Sequence, residues 1–288
     1  MRRAVRHVDA FTSVPLEGNP AAVVDGEGLG TETMQRIALN QKLSETVYLL
    51  PPADPANHAR LRIFTPAKEL PFAGHPTIAA AHILVEEARV KPGEGESLRL
   101  ETGAGVIPVA VEGAPPRYTM TQARPSFRAA GVGLDVIAAA LGVSPADIAH
   151  MEYVSTGIEW LLVQLVSLDA MMGVRPDMLA LMQHDVAVFC IGAAAPGVDV
   201  HVRAFAPGGG IYEDPVTGSA NGCIAALIGK RGLLPSHDGE IAYVAEQGAE
   251  MGQPGRVYAR VTGAPRDPLA HIGGHAVTVL RGELLLPG

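Results

Sequence analysis

Two short polar turns have residues that could hold a charged substrate. One is Gly74-His75-Pro76-Thr77 and the other is Thr217-Gly218-Ser219-Ala220; apolar runs follow them over 78–85 and 224–228. A small polar residue opening an apolar run reads as a helix start. Thr77 and Ser219 are expected to cap orphan backbone N–H groups, and Pro76 suits a first helical turn. A helix N-terminus attracts anions through its N–H groups and the positive end of its dipole. Taken singly, each turn reads as a capped helix start and nothing more. Taken as a pair on two related halves that face each other, they could converge on one substrate carboxylate.

The elements carrying these turns repeat once along the chain. Arg62-Ile63-Phe64-Thr65-Pro66 precedes the first turn and Arg203-Ala204-Phe205-Ala206-Pro207 the second. Both times the order is strand, R-x-F-x-P, loop, small polar turn, helix. Upstream, 31–42 reads as a helix leading to a strand over 46–50. In the same way 135–141 reads as a helix leading, through Ser155-Thr156-Gly157, to a strand over 160–166. Further apolar runs at 21–24, 106–111, 187–191 and 277–280 make the chain strand-rich. We read two halves mixing helix and strand, roughly 1–120 and 128–288, joined near Arg124-Pro125.

Other patterns are weaker. Gly26, Gly28 and Gly30 follow an apolar run and precede a helix, as in a dinucleotide-binding loop, with Glu45 about 20 residues on like a ribose-binding acid. Such an acid ends its strand, whereas Glu45 starts one, and the glycines fall short of G-x-G-x-x-G; they read as a turn. His271 and His275 have a metal-like spacing, but Gly273-Gly274 breaks any helix between them and no carboxylate or cysteine cluster accompanies them. No metal is expected. Glu94 and Glu96 lie in a Gly-rich loop and read as solvated.

Composition narrows the function classes. A chain of 288 residues suits one large domain or two of roughly 150. With a formal net charge of −8, a pI of about 5.7 and no basic stripe, it is a poor nucleic-acid binder. Met1 to Asp9 carry charge with no apolar region behind them, so no signal peptide is expected. No apolar stretch approaches the ~20 residues of a membrane-spanning helix. Cys190 and Cys223, without CxxC spacing, read as reduced thiols of a cytoplasmic protein.

The blocks Val8-Asp9-Ala10-Phe11-Thr12, Gly18-Asn19-Pro20-Ala21-Ala22-Val23-Val24, Leu43-Ser44-Glu45-Thr46-Val47 and Phe64-Thr65-Pro66 carry a family resemblance. So do Pro71-Phe72-Ala73-Gly74-His75-Pro76-Thr77, Ser155-Thr156-Gly157, Phe205-Ala206-Pro207, Glu213-Asp214-Pro215-Val216-Thr217-Gly218-Ser219-Ala220 and Gln247-Gly248. In this order they resemble the PhzF family of phenazine-biosynthesis isomerases over nearly the whole chain. The resemblance implies an α+β fold of the diaminopimelate-epimerase type: two pseudo-symmetric halves, each a curved, mostly antiparallel sheet around a central helix. It also implies a substrate cleft between the halves, no cofactor and a homodimer. The family's best-understood member shifts a proton within a cyclic dihydro-hydroxyanthranilate, using a glutamate that matches Glu45. Pocket residues of that family match His75 and Asp214. Related racemases on this fold use two cysteines, one per half, and Ala73 and Thr217 stand near those places.

Removing a proton from carbon requires a base near the operating pH and a means of holding the resulting charge. A carboxylate in a partly desolvated pocket becomes more basic and can serve in turn as base and acid. On this reading Glu45, at the start of an apolar strand, carries the proton. His75 and Asp214 bind or polarise a small carboxylate-bearing substrate, and Gly74, Thr77, Thr217, Gly218, Ser219 and Ala220 line its site. The expected activity is isomerisation or epimerisation. Two alternatives stand beside it: a lyase that loses a β-leaving group after proton abstraction, and a metabolite-binding protein without turnover.

Overall fold

The structure, a computed structural model, describes residues 1–91, 93, 95–193 and 195–286, so Glu94 lies outside the described residues. Met1–Met120 together with Gly273–Gly288 form one compact unit, and Thr121–Ile272 form the other. The first unit runs β1 (Arg2–Ala10), β2 (Asn19–Asp25), α1 (Thr31–Gln41), β3 (Glu45–Leu50), β4 (Ala59–Phe64), β5 (Glu69–Leu70), α2 (Gly74–Glu86), β6 (Ser97–Thr102), β7 (Gly105–Glu112) and β8 (Arg117–Thr121). Next come β9 (Ser126–Ala129), α3 (Leu134–Leu141), β10 (Ile148–Ser155), β11 (Glu159–Leu165), α4 (Leu168–Met172), β12 (Val186–Ile191), β13 (Val200–Ala206), β14 (Ile211–Asp214), α5 (Gly218–Arg231), β15 (Ile241–Gln247), β16 (Gly255–Thr262) and β17 (Leu269–Gly274). The closing strand β18 (Ala276–Leu285) pairs antiparallel with β1 from Ala276 to Leu285. That pairing puts the last residues in the first unit, where the sequence reading had placed them in the half 128–288.

Local composition explains why strands form here. In β16, Val257, Ala259 and Val261 are buried while Arg256, Tyr258 and Arg260 are not, the two-residue period of a sheet with one covered face. Helix α2 is the opposite case. Its residues from His75 to Ala81, together with Ile83 and Leu84, are all buried, because Ile and Ala surround its whole circumference. It packs against β1, β2, β3, β4 and β18 as the central helix of its unit. Burying a side chain such as Ile78 or Ile83 contributes about 1.5–3 kcal/mol. Helix α5 is enclosed in the same way, packed on β10, β11 and β16. Gly229 permits that approach, since a Cβ there would lie 2.6 Å from Val261 Cγ1. Among the described residues no helix is long and apolar enough to cross a membrane.

The two units repeat a strand order. In the first, β1–β2 is antiparallel, β2–β3 parallel, β3–β4 and β4–β5 antiparallel, β4–β6 parallel and β6–β7 antiparallel. In the second, β10–β11, β11–β12, β12–β13, β13–β14, β13–β15 and β15–β16 follow the same sequence of directions. The R-x-F-x-P motif has the same structural task in both. Arg62 forks onto both oxygens of Glu69 at 2.7 Å, and its guanidinium lies 5.2 Å from the Phe64 ring centre. Arg203 forks onto Glu213 at 2.8 and 2.9 Å, with Phe205 at 5.1 Å. Each arginine thereby ties its strand to the short strand that leads into the central helix.

The strand directions correct one expected correspondence. The counterpart of β3 is β12, each reached by a parallel crossover, and not the 160–166 strand, which is the counterpart of β2. Helix α3 precedes β10, so the crossover position of α1 is filled by the short α4 and the irregular chain after it. Phe64 faces Thr46 and Phe205 faces Val186, so one step before each strand partner Glu45 corresponds to Asp185.

Candidate active site

In the first unit, the parallel pairing of β2 and β3 sets Glu45 opposite Ala21. Glu45 is 8% exposed. Its Oε2 comes within 3.2 Å of His75 Nε2, an ion-pair distance without hydrogen-bond alignment, so this buried oxygen lacks a donor among the described residues. Ser44 Oγ lies 3.4 Å from the same imidazole nitrogen. Burial pushes the Glu45 carboxyl above the usual carboxylate range, and the neighbouring Ser44 offsets only part of that. The structure thus brings Glu45 and His75 together and makes the carboxylate more basic than one in water.

The turn that delivers His75 differs from expectation at its cap. The N-cap of α2 is Ala73, which offers no side-chain cap. Thr77 is fully buried, and its hydroxyl donates back to the Ala73 carbonyl at 2.7 Å, so it does not cap the helix. A β-hydroxyl inside a helix reaches the carbonyl four residues back, and here that contact wins. Gly74 and His75 therefore open a helix whose N-cap residue offers no side-chain cap.

The second unit has a matching turn with a different lock. Thr217 is the N-cap of α5 and again makes no side-chain cap. Its hydroxyl donates to Asp214 Oδ2 at 2.5 Å and accepts from Gln247 Nε2 at 3.0 Å. Gln247 Nε2 also donates to the Asp214 carbonyl at 2.8 Å, and its Oε1 accepts from the Thr217 backbone N–H at 3.0 Å. Asn221 Nδ2 donates to that same Oε1 at 2.9 Å and to the Thr217 carbonyl at 3.0 Å. The last bond mirrors Thr77 onto Ala73. Ser219 does not cap either, because its hydroxyl accepts from Trp160 Nε1 at 3.1 Å. Asp214, Thr217, Gly218, Ser219 and Ala220 thus lie together on one turn. Gly248 fixes the far side: its φ is +88°, and a Cβ there would meet Gln253 O at 2.4 Å and Pro215 O at 2.5 Å.

Residue types with other chemistry are occupied elsewhere. Cys223 sits inside α5, 3.2 Å from the Val154 carbonyl, and burial pushes its thiol up to about 11. Cys190 is buried, and its thiol is likewise pushed up to about 11. His271 bonds Thr121 Oγ1 at 2.9 Å and Thr262 Oγ1 at 3.0 Å, and His275 bonds the Pro116 carbonyl at 2.9 Å. No three of His, Cys, Asp and Glu are placed to hold a metal ion among the described residues. Ala73 and Thr217, expected near the places of the racemase thiols, are the two N-caps. Sequence reading gave Gln247 no task; an amide and a glycine shortly after the apolar run 241–245 were the available signal.

Comparison with known proteins agrees with these elements. The model of the phenazine biosynthesis-like family, PhzC-PhzF, matches residues 8–282. Trans-2,3-dihydro-3-hydroxyanthranilate isomerase of Pseudomonas fluorescens is 36% identical over 287 residues, covering 97% of this chain and 98% of its own. The crystal structure of a Bacillus anthracis phenazine biosynthesis protein of the PhzF family superimposes with a TM-score of 0.90 at 29% identity, over 99% of this chain and 100% of the other. A hydroxyproline epimerase from Agrobacterium vitis shares the fold alone: TM-score 0.65, 14% identity, 98% and 92% covered. A match reaching from β1 into β18, over a mixed sheet with a buried central helix in each unit, means that the chain belongs to the phenazine biosynthesis-like PhzC-PhzF family, as an isomerase.

Proposed function

We propose that this isomerase moves a proton between carbons of a small carboxylate-bearing metabolite, with Glu45 as general base and then general acid and with no cofactor. The observation that carries this reading is the buried Glu45 carboxylate, its Oε2 lacking a donor and 3.2 Å from His75 Nε2. A carboxylate with raised basicity takes the C–H proton; the C–H bond breaks and an O–H bond forms on Glu45. The electron pair delocalises toward the substrate's own carboxylate. Return of the proton from Glu45 to a second carbon completes the isomerisation, with no net change in charge or atoms. In the first unit His75 binds or polarises the substrate beside Glu45; in the second, Asp214 and the turn from Thr217 to Ala220 are the proposed substrate-binding residues. The helix starts at Gly74 and Gly218, without side-chain caps, favour an anionic group.

Trans-2,3-dihydro-3-hydroxyanthranilate, named for the Pseudomonas fluorescens relative, is the first substrate to try, being cyclic and carboxylate-bearing. The enzyme is incubated with it in deuterium oxide, and recovered material is examined by mass spectrometry and NMR. Deuterium in a rearranged isomer supports the reading. An unsaturated product that has lost a leaving group would turn it to a lyase, and unchanged, unlabelled compound bound at stoichiometry would turn it to a binding protein. The same reading takes the enzyme as a cytoplasmic homodimer, consistent with its buried free thiols; light scattering of the purified protein checks the dimer.

A further inference from the structure

We infer that Gln247 is the positioning residue for Asp214, acting through Thr217. This rests on the proposed role of Asp214 above and adds to it the group that sets the geometry around that residue. The amide of Gln247 can be oriented without ambiguity. Its Oε1 faces the Thr217 backbone N–H at 3.0 Å, which can only donate, and its Nε2 faces the Asp214 carbonyl at 2.8 Å, which can only accept. The second Nε2 hydrogen points at Thr217 Oγ1, 3.0 Å away. The threonine hydroxyl, already accepting, therefore turns its own proton toward Asp214 Oδ2 at 2.5 Å. A relay of donors runs from Gln247 to Thr217 to the Asp214 carboxylate. The same amide grips both ends of the Asp214–Thr217 turn by its backbone, and Asn221 secures it from within α5.

Burial makes this lock stiff. Gln247 is 1% exposed, Asn221 is wholly buried and Thr217 is 8% exposed. Water cannot replace a broken link cheaply, because a buried polar group left unpaired has lost its hydrogen bond to solvent without gaining another. Pro215 and the close contact of Gly248 with the Pro215 carbonyl leave the turn little room to adopt another shape. The carboxylate oxygen held by Thr217 is thus fixed before substrate arrives, which is where a binding site gains from preorganisation.

The test is a double-mutant cycle in Q247E and D214N, read as kcat and KM on trans-2,3-dihydro-3-hydroxyanthranilate, with crystal structures of the variants. Gln247→Glu keeps the shape and the Oε1 acceptor and removes both donated hydrogens. It is expected to lower kcat/KM by about 10²-fold, as a misplacement of about 1 Å in a site can do. In the D214N background the same change should cost no more than about twofold further, because both act on one group. Thr217→Val should reproduce the Q247E loss and Thr217→Ser should restore most of it. In the Q247E crystal the Thr217 Oγ1–Asp214 Oδ2 contact should open beyond 3.5 Å, whatever substrate the enzyme prefers. Full additivity of Q247E with D214N, wild-type kcat/KM in Q247E, or an unmoved Thr217–Asp214 contact would each overturn the inference while leaving the site reading intact. Wild-type turnover by D214N itself would remove the site reading, and the inference with it.

Discussion

Replacing Glu45 by Gln removes the proposed proton carrier while keeping its volume at the start of β3. Losing a general base costs ~10²–10⁴ in rate, or about 3–5 kcal/mol of transition-state stabilisation. The environment puts Glu45→Gln toward the larger end, since the carboxylate is buried with its Oε2 3.2 Å from His75 Nε2. Glu45→Asp is a finer probe: it withdraws the carboxyl by about one C–C bond, ~1.5 Å, and misplacement on that scale costs about 10²-fold. Stability should move the other way. The folded carboxyl is held above its unfolded value by burial, so the native state binds more protons than the unfolded chain. Stability from this group is therefore greatest at acid pH and falls as pH rises from the unfolded value near 4.5 through the raised folded one. Glu45→Gln abolishes that loss, so the variant should melt at the same temperature as wild type or higher at pH 8, measured by calorimetry. Deuterium uptake into substrate, followed alongside, should be nearly abolished. Wild-type deuterium uptake by Glu45→Gln, or a melting temperature that falls steeply, would refute the assignment of Glu45 as a destabilising, reacting carboxylate.

The double variant Cys190→Ala, Cys223→Ala should retain wild-type kcat, and native wild-type enzyme should resist alkylation at pH 8, because both buried thiols are pushed up to about 11; loss of turnover without unfolding would revive thiol chemistry. His201, 2% exposed, meets Glu246 at 2.7 Å and Glu250 at 2.8 Å. Burial works against its charge, but Glu250 and Glu246 outweigh it and raise its pKa above 6.5. Its stabilisation is therefore full below pH 6.5 and lost as pH rises through the raised value, so the melting-temperature gap between wild type and His201→Gln should narrow over that rise. Breaking the enclosed Arg203–Glu213 fork with Arg203→Met should cost about 3 kcal/mol in urea unfolding, as for a buried pair. Arg62→Met, at the more exposed Arg62–Glu69 pair, should cost about 1 kcal/mol or less. Equal losses at the two arginines would show that burial does not govern these forks.

What could be read in the sequence was local. R-x-F-x-P announced itself because arginine, aromatic and proline perform a compact task within a few residues, namely gripping Glu69 or Glu213 and turning the chain. The helix starts were legible because the composition changes abruptly at Gly74 and Gly218. Long-range pairing was not. Nothing near β18 says that Leu285 will face Arg2, so the last strand was assigned to the wrong unit. The crossover into β12 was hidden because α4, five residues long, is too short to display a helical period, and the correspondence slid by one strand. Caps failed for a different reason. A threonine or serine near a helix start can serve the N–H groups, a carbonyl or a distant side chain; only packing decides, as it does for Thr77 on Ala73 and Ser219 beneath Trp160.

The repeat also bears on the proposal of a single proton carrier. Both units place a carboxylate where the strand after the parallel crossover begins, Glu45 as the first residue of β3 and Asp185 immediately before β12. Burial raises the pKa of each. What separates them is the second residue of the central helix. In α2 that residue is His75, whose Nε2 comes to the Glu45 carboxyl. In α5 it is Ser219, whose hydroxyl is engaged by Trp160. The N-caps diverge too: Ala73 is inert, while Thr217 is drawn into the Gln247 relay. Neither N-cap carries a thiol, so a pair of matched bases, one per helix start, is not available, and the basic group of the first unit sits on a strand. Two copies of one strand order thus differ at two positions of the central helix start: Ala73 against Thr217 at the N-cap and His75 against Ser219 at the second residue. The proposed proton carrier belongs to the unit with the carboxylate–imidazole pair, and the proposed Gln247 lock to the other.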